Sequence, residues 1–149
     1  MERWTPHVTV AALIERDGRF LLVREQTAAG IRFNQPAGHL EQGEQLVDAV
    51  VREALEETAW QVTPQALLGI YQAESFDRAI TYLRFAFICQ AEREVTGRPL
   101  DDGILDTHWL TPAEIRARQS QLRSPAVLCC IDDYLAGQRY PLSLIQTLA

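Results

Sequence analysis

The sequence predicts an α+β fold in which a mixed β-sheet is flanked by helices. Three observations lead to this prediction. Apolar runs rich in β-branched and aromatic residues occur in both halves of the chain, an amphipathic helix separates them, and two helices with capping residues follow towards the end. At 149 residues, of which 47% are hydrophobic, the chain is long enough for one domain spanning residues 1–149 with its own core.

The first half of the chain begins with two predicted strands. They are the runs HVTVAALIE and RFLLVRE, which Asp17-Gly18 joins as a two-residue hairpin turn. Glycine, proline and asparagine punctuate residues 26–43, so a loop is predicted there. From Glu44 to about Thr58 the apolar residues recur with a helical period, which predicts a helix.

The second half contains three more predicted strands and two helices. Two long strands are expected after Pro64, in ALLGIYQAES and AITYLRFAFICQ, and a short strand at residues 107–110. Thr111 and Ser124 each precede a proline and an apolar run, which is typical of a capped helix start. The tail beyond Gly137 is expected to lie back on the body of the protein.

Charge and composition narrow the class of function. The formal net charge is −6, so no basic field is available to attract nucleic acid or anionic lipid. No run approaches the ~20 apolar residues needed to cross a bilayer, and the first residues lack the pattern of a signal peptide. The three cysteines show no metal-binding or redox spacing and are expected to be reduced thiols. We therefore expect a cytoplasmic protein without a membrane or nucleic-acid partner.

The predicted central helix carries a cluster of carboxylates. Glu53, Glu56 and Glu57 are spaced i, i+3 and i+4, so their side chains lie on one face of the helix and repel one another. Either this face is a solvated acidic stripe, or a divalent cation binds there. Oxygen ligands of this kind suit Mg²⁺, or Mn²⁺ as an alternative. Arg52 is placed to pair with a neighbouring glutamate, and Gly38 lets the backbone approach the ion.

A longer pattern favours the metal site. Six residues within residues 38–60 stand at fixed distances from one another. The probability that such a six-residue match arises by chance is of the order of 10⁻⁷ per starting point. They are Gly38, Glu44, Arg52, Glu53, Glu56 and Glu57. This pattern resembles the signature of the Nudix hydrolase family. The sequence departs from the signature at Ala59, which replaces a glycine, and at Ala54, a small residue in the apolar slot. Ala59 is expected in a left-handed turn, at a cost of about 1 kcal/mol.

The resemblance implies an α/β/α sandwich with a loop-helix-loop motif, and metal-dependent cleavage of a pyrophosphate bond. It implies that Glu53, Glu56 and Glu57 bind the metal together with the Gly38 carbonyl, and that Arg52 orients a glutamate. The catalytic set would therefore be Arg52 and the three glutamates. The general base remains open between a motif glutamate and three aspartates of the later loop. Those aspartates are Asp101, Asp102 and Asp106.

The resemblance also suggests a substrate class. Segments such as NQPAGHLE, YLRFAF and LRSPAV resemble a bacterial phosphatase branch of the family. That branch releases inorganic phosphate from thiamine pyrophosphate, hydroxymethylpyrimidine pyrophosphate and nucleoside tri- and diphosphates. The alternatives are a Nudix hydrolase for ADP-ribose, an ADP-sugar, a dinucleoside polyphosphate or a damaged nucleotide, and a sensor module that binds nucleotides without cleaving them. In every case the partner is a small phosphorylated molecule, and the protein is expected to be a monomer or a homodimer.

Arginines are the expected contacts for the substrate's phosphates. The candidates are Arg24, Arg32 and Arg84. Arg84 lies within an apolar strand and shares a face with Tyr82, so we expect it either to point into a cleft or to pair with an acid. Tyr82 is a candidate for stacking on a substrate ring, with core packing as the alternative. The three histidines are scattered along the sequence and are expected in loop or packing roles.

Overall fold

The computed structural model describes residues 1–75 and 77–148, which contain seven strands and three α-helices. The strands are β1 (His7–Arg16), β2 (Arg19–Thr27), β3 (Gly30–Asn34), β4 (Ala37–His39), β5 (Trp60–Glu74), β6 (Thr81–Glu94) and β7 (Ile104–Leu110). The helices are α1 (Leu46–Thr58), α2 (Pro112–Ala117) and α3 (Ala126–Leu135). The predicted α+β class is confirmed.

The sheet is mixed because β1 runs parallel to β6 while its other pairings are antiparallel. The order along the sheet is β3-β2-β1-β6-β5, with β4 also pairing with β1 and β7 with β2. The predicted hairpin joins β1 and β2, and both of its turn residues have positive φ, 52° at Asp17 and 78° at Gly18. Such a backbone matches the twist of the strands that it joins.

Helices cover both faces of the sheet. On one face, Val50 and Ala54 of α1 belong to the same buried cluster as Val10 of β1 and Phe87 of β6. On the other face, residues of α2 and α3 pack against alternate residues of the same strands, such as Leu13. Each fully buried side chain of this size contributes about 1.5–3 kcal/mol, so both layers are needed for stability. This is the predicted α/β/α sandwich.

Residues 26–43 do not form the predicted loop. They contain β3 and β4, whose backbone groups are satisfied by β2 and β1 respectively. Pro36 lies between the two strands, and its carbonyl accepts a hydrogen bond from the amide of Ala12 at 2.9 Å. The prediction was wrong because short strands that alternate with glycine and proline show no hydrophobic period; only their long-range partners make them strands.

Two other boundaries differ from the prediction. Helix α1 begins at Leu46 rather than Glu44, and β5 begins at Trp60 rather than after Pro64. The β5–β6 pairing shifts register between Pro64 and Ala66, which accommodates a residue that cannot donate to the ladder. Strand β5 lies at the end of the sheet order, where proline is tolerated.

The C-terminal part agrees with the sequence analysis. Thr111 and Glu114 form a reciprocal capping box at the start of α2, with hydrogen bonds of 2.9 and 3.2 Å. The sequence predicts Ser124 as the N-cap and Pro125 as the first residue of α3, but the helix begins one residue later, at Ala126. The tail pairs with β5 through Tyr140 and Leu67, so the prediction that it lies on the body is confirmed. Within the described residues, no helix combines the length and the apolar character needed to span a membrane.

Candidate active site

Strand β4 and helix α1 bring Gly38 against Glu53. A Cβ atom at Gly38 would overlap the carboxylate of Glu53, so this position admits only a glycine if the carboxylate keeps its place. The helix ends at Ala59, which has φ 64° and donates its amide to the carbonyl of Leu55 at 2.9 Å. The expectation of a left-handed residue at this position is confirmed.

Three carboxylates converge beside the helix. Oxygen atoms of Glu53, Glu56 and Asp101 all lie within 4.8 Å of one another. The loop before β7 is held there by a hydrogen bond from the amide of Asp101 to the carbonyl of Glu56, at 3.0 Å. We call these three residues the acidic cluster. From the sequence Asp101 is a candidate only for the general base, because nothing in its local sequence indicates that it packs on α1.

The fourth carboxylate, Glu57, has a different environment. Its Oε1 accepts a hydrogen bond from the amide of Ala37 at 3.0 Å, and the side chain is buried. Burial raises the pKa of Glu57 to about 8, and the neighbouring Glu53, Glu25 and Asp101 add to the effect. Burial also raises the pKa of Glu53, although Arg52 opposes it. Both shifts have burial as their main cause, because a buried carboxylate loses the water that stabilises its charged form.

Arg52 binds three of the glutamates of this region through its guanidinium group. Its guanidinium forms a two-bond pair with Glu44, at 2.7 Å from Nε and 3.0 Å from Nη2. Its Nη1 donates to Glu53 at 2.7 Å and to Glu56 at 3.2 Å. The hydrogen bonds from Arg52 hold the pKa of Glu44 below its usual range. The predicted pairing of Arg52 with a neighbouring glutamate is confirmed by the bond to Glu53, and the two-bond partner, Glu44, lies eight residues earlier.

Arg24 and Asp106 form an ion pair with each other. They are cross-strand neighbours on β2 and β7, joined by hydrogen bonds of 2.9 and 2.7 Å. Asp106 also contacts His108 at 2.9 Å. The bonds to Arg24, followed by those to His108, lower the pKa of Asp106. Neither residue belongs to the acidic cluster, and Asp102 is exposed in the loop.

The other two candidate arginines differ strongly. Arg32 is half-buried, and its Nη1 donates to the carbonyl of the adjacent Ile31 at 2.9 Å. Arg84 is only 8% exposed, and its Nη2 donates to Oε1 of Gln35 at 2.6 Å. Gln35 in turn donates to the carbonyl of Val127 at 2.9 Å. No local pattern in the sequence points to Gln35, apart from the general need of a buried arginine for a partner.

Tyr82 lies in a small aromatic group with two histidines. The histidines are scattered along the sequence, but β1 pairs with both β4 and β6, and this brings His7 and His39 together. Nδ1 of His7 lies 3.0 Å from Nε2 of His39, and the Tyr82 ring lies 5.8 and 6.4 Å from their centroids. Both histidines line an open pocket of about 460 Å³ that continues along the loop before α1, residues 39–44.

The fold and these residues define a class of protein. Residues 5–128 match the model of the NUDIX domain, and the chain belongs to the Nudix family. It is a hydrolase of the class that acts on pyrophosphate bonds.

The similarity extends over most of the chain. The sequence is 41% identical over 140 residues to phosphatase NudJ of Escherichia coli K12, covering 94% of this chain and 90% of that protein. The structure superposes on a NUDIX hydrolase from Nitrosomonas europaea with a TM-score of 0.93 and 47% identity, over 97% and 98% of the two chains. An Ap4A hydrolase of C. elegans shares the fold alone, with a TM-score of 0.66 and 17% identity over 88% and 98%.

Proposed function

We propose that this protein is a magnesium-dependent phosphatase that hydrolyses thiamine pyrophosphate, hydroxymethylpyrimidine pyrophosphate and nucleoside tri- and diphosphates with release of inorganic phosphate. The observation that carries the proposal is the convergence of Glu53, Glu56 and Asp101 on one point beside α1. The substrate class is supported by the 41% identity to phosphatase NudJ. We also propose that residues 1–149 act as one catalytic domain.

The donor set of the acidic cluster fits a hard divalent ion. All three donors are carboxylate oxygens, and Glu53 is only 8% exposed, so water alone does not offset their mutual repulsion. Gly38 and Glu57 complete the proposed set, because Gly38 touches Glu53 and Glu57 accepts a hydrogen bond from the amide of Ala37, the residue before Gly38. When bound, Mg²⁺, or Mn²⁺ in its place, would neutralise phosphate charge and make water more acidic.

The chain's own residues prepare this chemistry. Arg52 fixes the carboxylates of Glu53 and Glu56 in one orientation while Glu44 fixes Arg52, so the site is ordered before a ligand arrives. A carboxylate of the site takes the proton of the attacking water. We place that base among Glu56, Glu57 and Asp101 rather than at Asp106, because both oxygens of Asp106 accept hydrogen bonds from Arg24.

The proposal is tested by measuring phosphate release from the purified protein with and without Mg²⁺. The substrates are thiamine pyrophosphate, a nucleoside triphosphate, a nucleoside diphosphate and ADP-ribose. Glu56→Gln and Asp101→Asn each remove one charge from the acidic cluster, and Glu92→Gln removes the charge of an exposed strand residue as the matched control. We expect release of inorganic phosphate from the first three substrates, a loss of at least about 10²-fold in both cluster variants, and no change in the control.

Each other outcome contradicts a defined part of the proposal. Cleavage of ADP-ribose alone, or release of pyrophosphate from the triphosphate, would leave a Nudix hydrolase of another substrate class. Full activity of Asp101→Asn would remove that residue from the site. Absence of metal-dependent turnover on all four compounds would reject the phosphatase assignment.

A further inference from the structure

His7 and His39 form a pair of imidazole rings that the sheet holds in contact. Strand β1 pairs antiparallel with β4 so that Thr9 stands opposite His39. His7 lies two residues before Thr9 and therefore points to the same face of the sheet. Nδ1 of His7 lies 3.0 Å from Nε2 of His39. A contact of this length between two ring nitrogens requires a lone pair on at least one of them, and a neutral imidazole nitrogen is a common metal ligand.

The distance between the two nitrogens fits two neighbouring ligands of one metal ion. With metal–nitrogen bonds of about 2.0–2.1 Å, two nitrogens stand about 2.9 Å apart at a right angle and about 3.4 Å apart at the tetrahedral angle. The observed distance of 3.0 Å is close to the right angle, which octahedral and tetragonal ions provide. Imidazole ligands in this geometry suit Ni²⁺ and Cu²⁺.

The surroundings of the pair give an ion access. Both rings are exposed and line the open pocket of about 460 Å³, so each ring has room to turn until both lone pairs meet at one ion. The residues that line this pocket include two carboxylates, Glu41 and Glu44, and neither lysine nor arginine. Arg52 contacts both carboxylates but also binds Glu53 and Glu56, so its single charge does not neutralise them all. The pocket therefore favours a cation.

The histidine pair is separate from the acidic cluster. Successive residues of a strand point to opposite faces, and Gly38 faces the Glu53 carboxylate, so the ring of His39 points away from it. In the part of the chain that the structure describes, the acidic cluster is the one place where three ligand atoms of His, Cys, Asp or Glu converge. An ion at the histidines would thus have two protein ligands, with water in its other positions.

We propose that His7 and His39 form a second metal site, a two-histidine chelate for a borderline divalent ion such as Ni²⁺ or Cu²⁺. Its nitrogen ligands distinguish it from the acidic cluster, whose oxygen ligands suit Mg²⁺. The Tyr82 ring packs against the pair, with its centroid 5.8 and 6.4 Å from theirs, and so supports the two rings from one side. The proposal is independent of the proposed function, because neither histidine belongs to the acidic cluster.

The test is calorimetric titration of the purified protein with Ni²⁺ in excess Mg²⁺, which competes for the acidic cluster. His7→Phe and His39→Phe keep a ring against Tyr82 but remove the lone pair of one ligand. His108→Phe is the matched control, because His108 contacts Asp106 and lies outside the pair. Glu56→Gln is the second control, because it alters the acidic cluster and leaves both histidines in place.

We expect one Ni²⁺ ion per chain in the wild type and unchanged affinity in the two controls. His7→Phe and His39→Phe should each lower the affinity by at least about 10–100-fold, since losing a ligand costs no less than losing a residue that only orients one. Equal affinity in all five proteins, a loss in only one of the two pair variants, or a loss in His108→Phe would overturn the proposal. Absence of Ni²⁺ binding by the wild type would overturn it as well.

A second measurement needs no variant and therefore holds even if a phenylalanine variant fails to fold. Electron paramagnetic resonance of the wild type with one equivalent of Cu²⁺ and excess Mg²⁺ is expected to show coupling to two imidazole nitrogens. A spectrum with oxygen ligands alone would reject the histidine site. Neither experiment involves turnover, so a failure of the proposed phosphatase activity leaves the result unchanged, and a failure of the histidine site leaves the phosphatase proposal in place.

Discussion

At the scale of single residues, the site depends on contacts that leave little room for substitution. Gly38 touches the Glu53 carboxylate directly, and one guanidinium, that of Arg52, binds three glutamates. The motif spacing predicted which residues matter, but the contacts among them come from the fold. Arg52 illustrates this difference, because its two-bond partner Glu44 is outside the helix.

Gly38→Ala should displace the Glu53 carboxylate and so disrupt the acidic cluster. The added methyl group overlaps the Glu53 carboxylate, which must move, and a shift of about 1 Å at such a site costs about 10²-fold in activity. Phosphate release and Mn²⁺ affinity by calorimetry measure the effect. Gly97→Ala is the control: its Cβ enters open space at φ 85°, so it should lose stability but keep activity. Normal metal affinity in Gly38→Ala would contradict this reading of the site.

Arg52→Lys keeps the charge but removes the two-bond pair with Glu44. A lysine has all its donors on one nitrogen, whereas Arg52 uses three nitrogens, so a lysine cannot keep the two-bond pair with Glu44 and also reach Glu53 and Glu56. We expect Mg²⁺ affinity or activity to fall by about 10–100-fold, the usual effect of losing a residue that orients metal ligands. Metal titration of activity measures it. If lysine fully replaces arginine, charge alone is what the site requires at this position.

At the scale of elements, the ends of α1 show how local sequence and packing combine. The helix ends at Ala59 with φ 64°, a conformation that glycine adopts without strain. The sequence placed this left-handed residue correctly, because the motif spacing assigns it to the end of the helix. In contrast, β3 and β4 were missed, since their short runs become strands only through pairing with β2 and β1.

Ala59→Gly is therefore expected to stabilise the protein by about 1 kcal/mol. The gain should appear in urea unfolding as a higher midpoint with an unchanged slope. Ala136→Gly supplies the opposite case, because Ala136 ends α3 with a right-handed φ of −76°, where glycine only adds freedom to the unfolded chain. It should lower stability. A loss of stability in Ala59→Gly would mean that the methyl group, 7% exposed, contributes more by packing than it costs in strain.

At the scale of the whole molecule, charge pairs that join distant segments determine how stability responds to pH. Arg24 and Asp106 tie β2 to β7 across 82 residues of sequence, with His108 as a third member. Because the pKa of Asp106 is lowered in the folded state, chiefly by Arg24, its contribution is present above the unfolded pKa of about 3.9 and disappears as pH falls through the folded value.

The loss of stability caused by Asp106→Asn should depend on pH in the same way, because the variant lacks the carboxylate. The difference in unfolding free energy is expected to be constant from about pH 5 upwards and to shrink as pH falls below about 4. Urea unfolding at a series of pH values from 3 to 7 measures it. A difference that stays the same at all pH values would show that Asp106 acts through packing and not through its charge.

The sequence by itself determined the α+β class, the order of most elements and the identity of the motif residues. It could do so because hairpin chemistry, helix caps, hydrophobic period and motif spacing are all local. Only the tertiary structure decided which groups meet: Asp101 with Glu53 and Glu56, and Gln35 with Arg84. These pairs are separated by tens of residues, so their contact depends on strand register and loop packing, which no local pattern specifies.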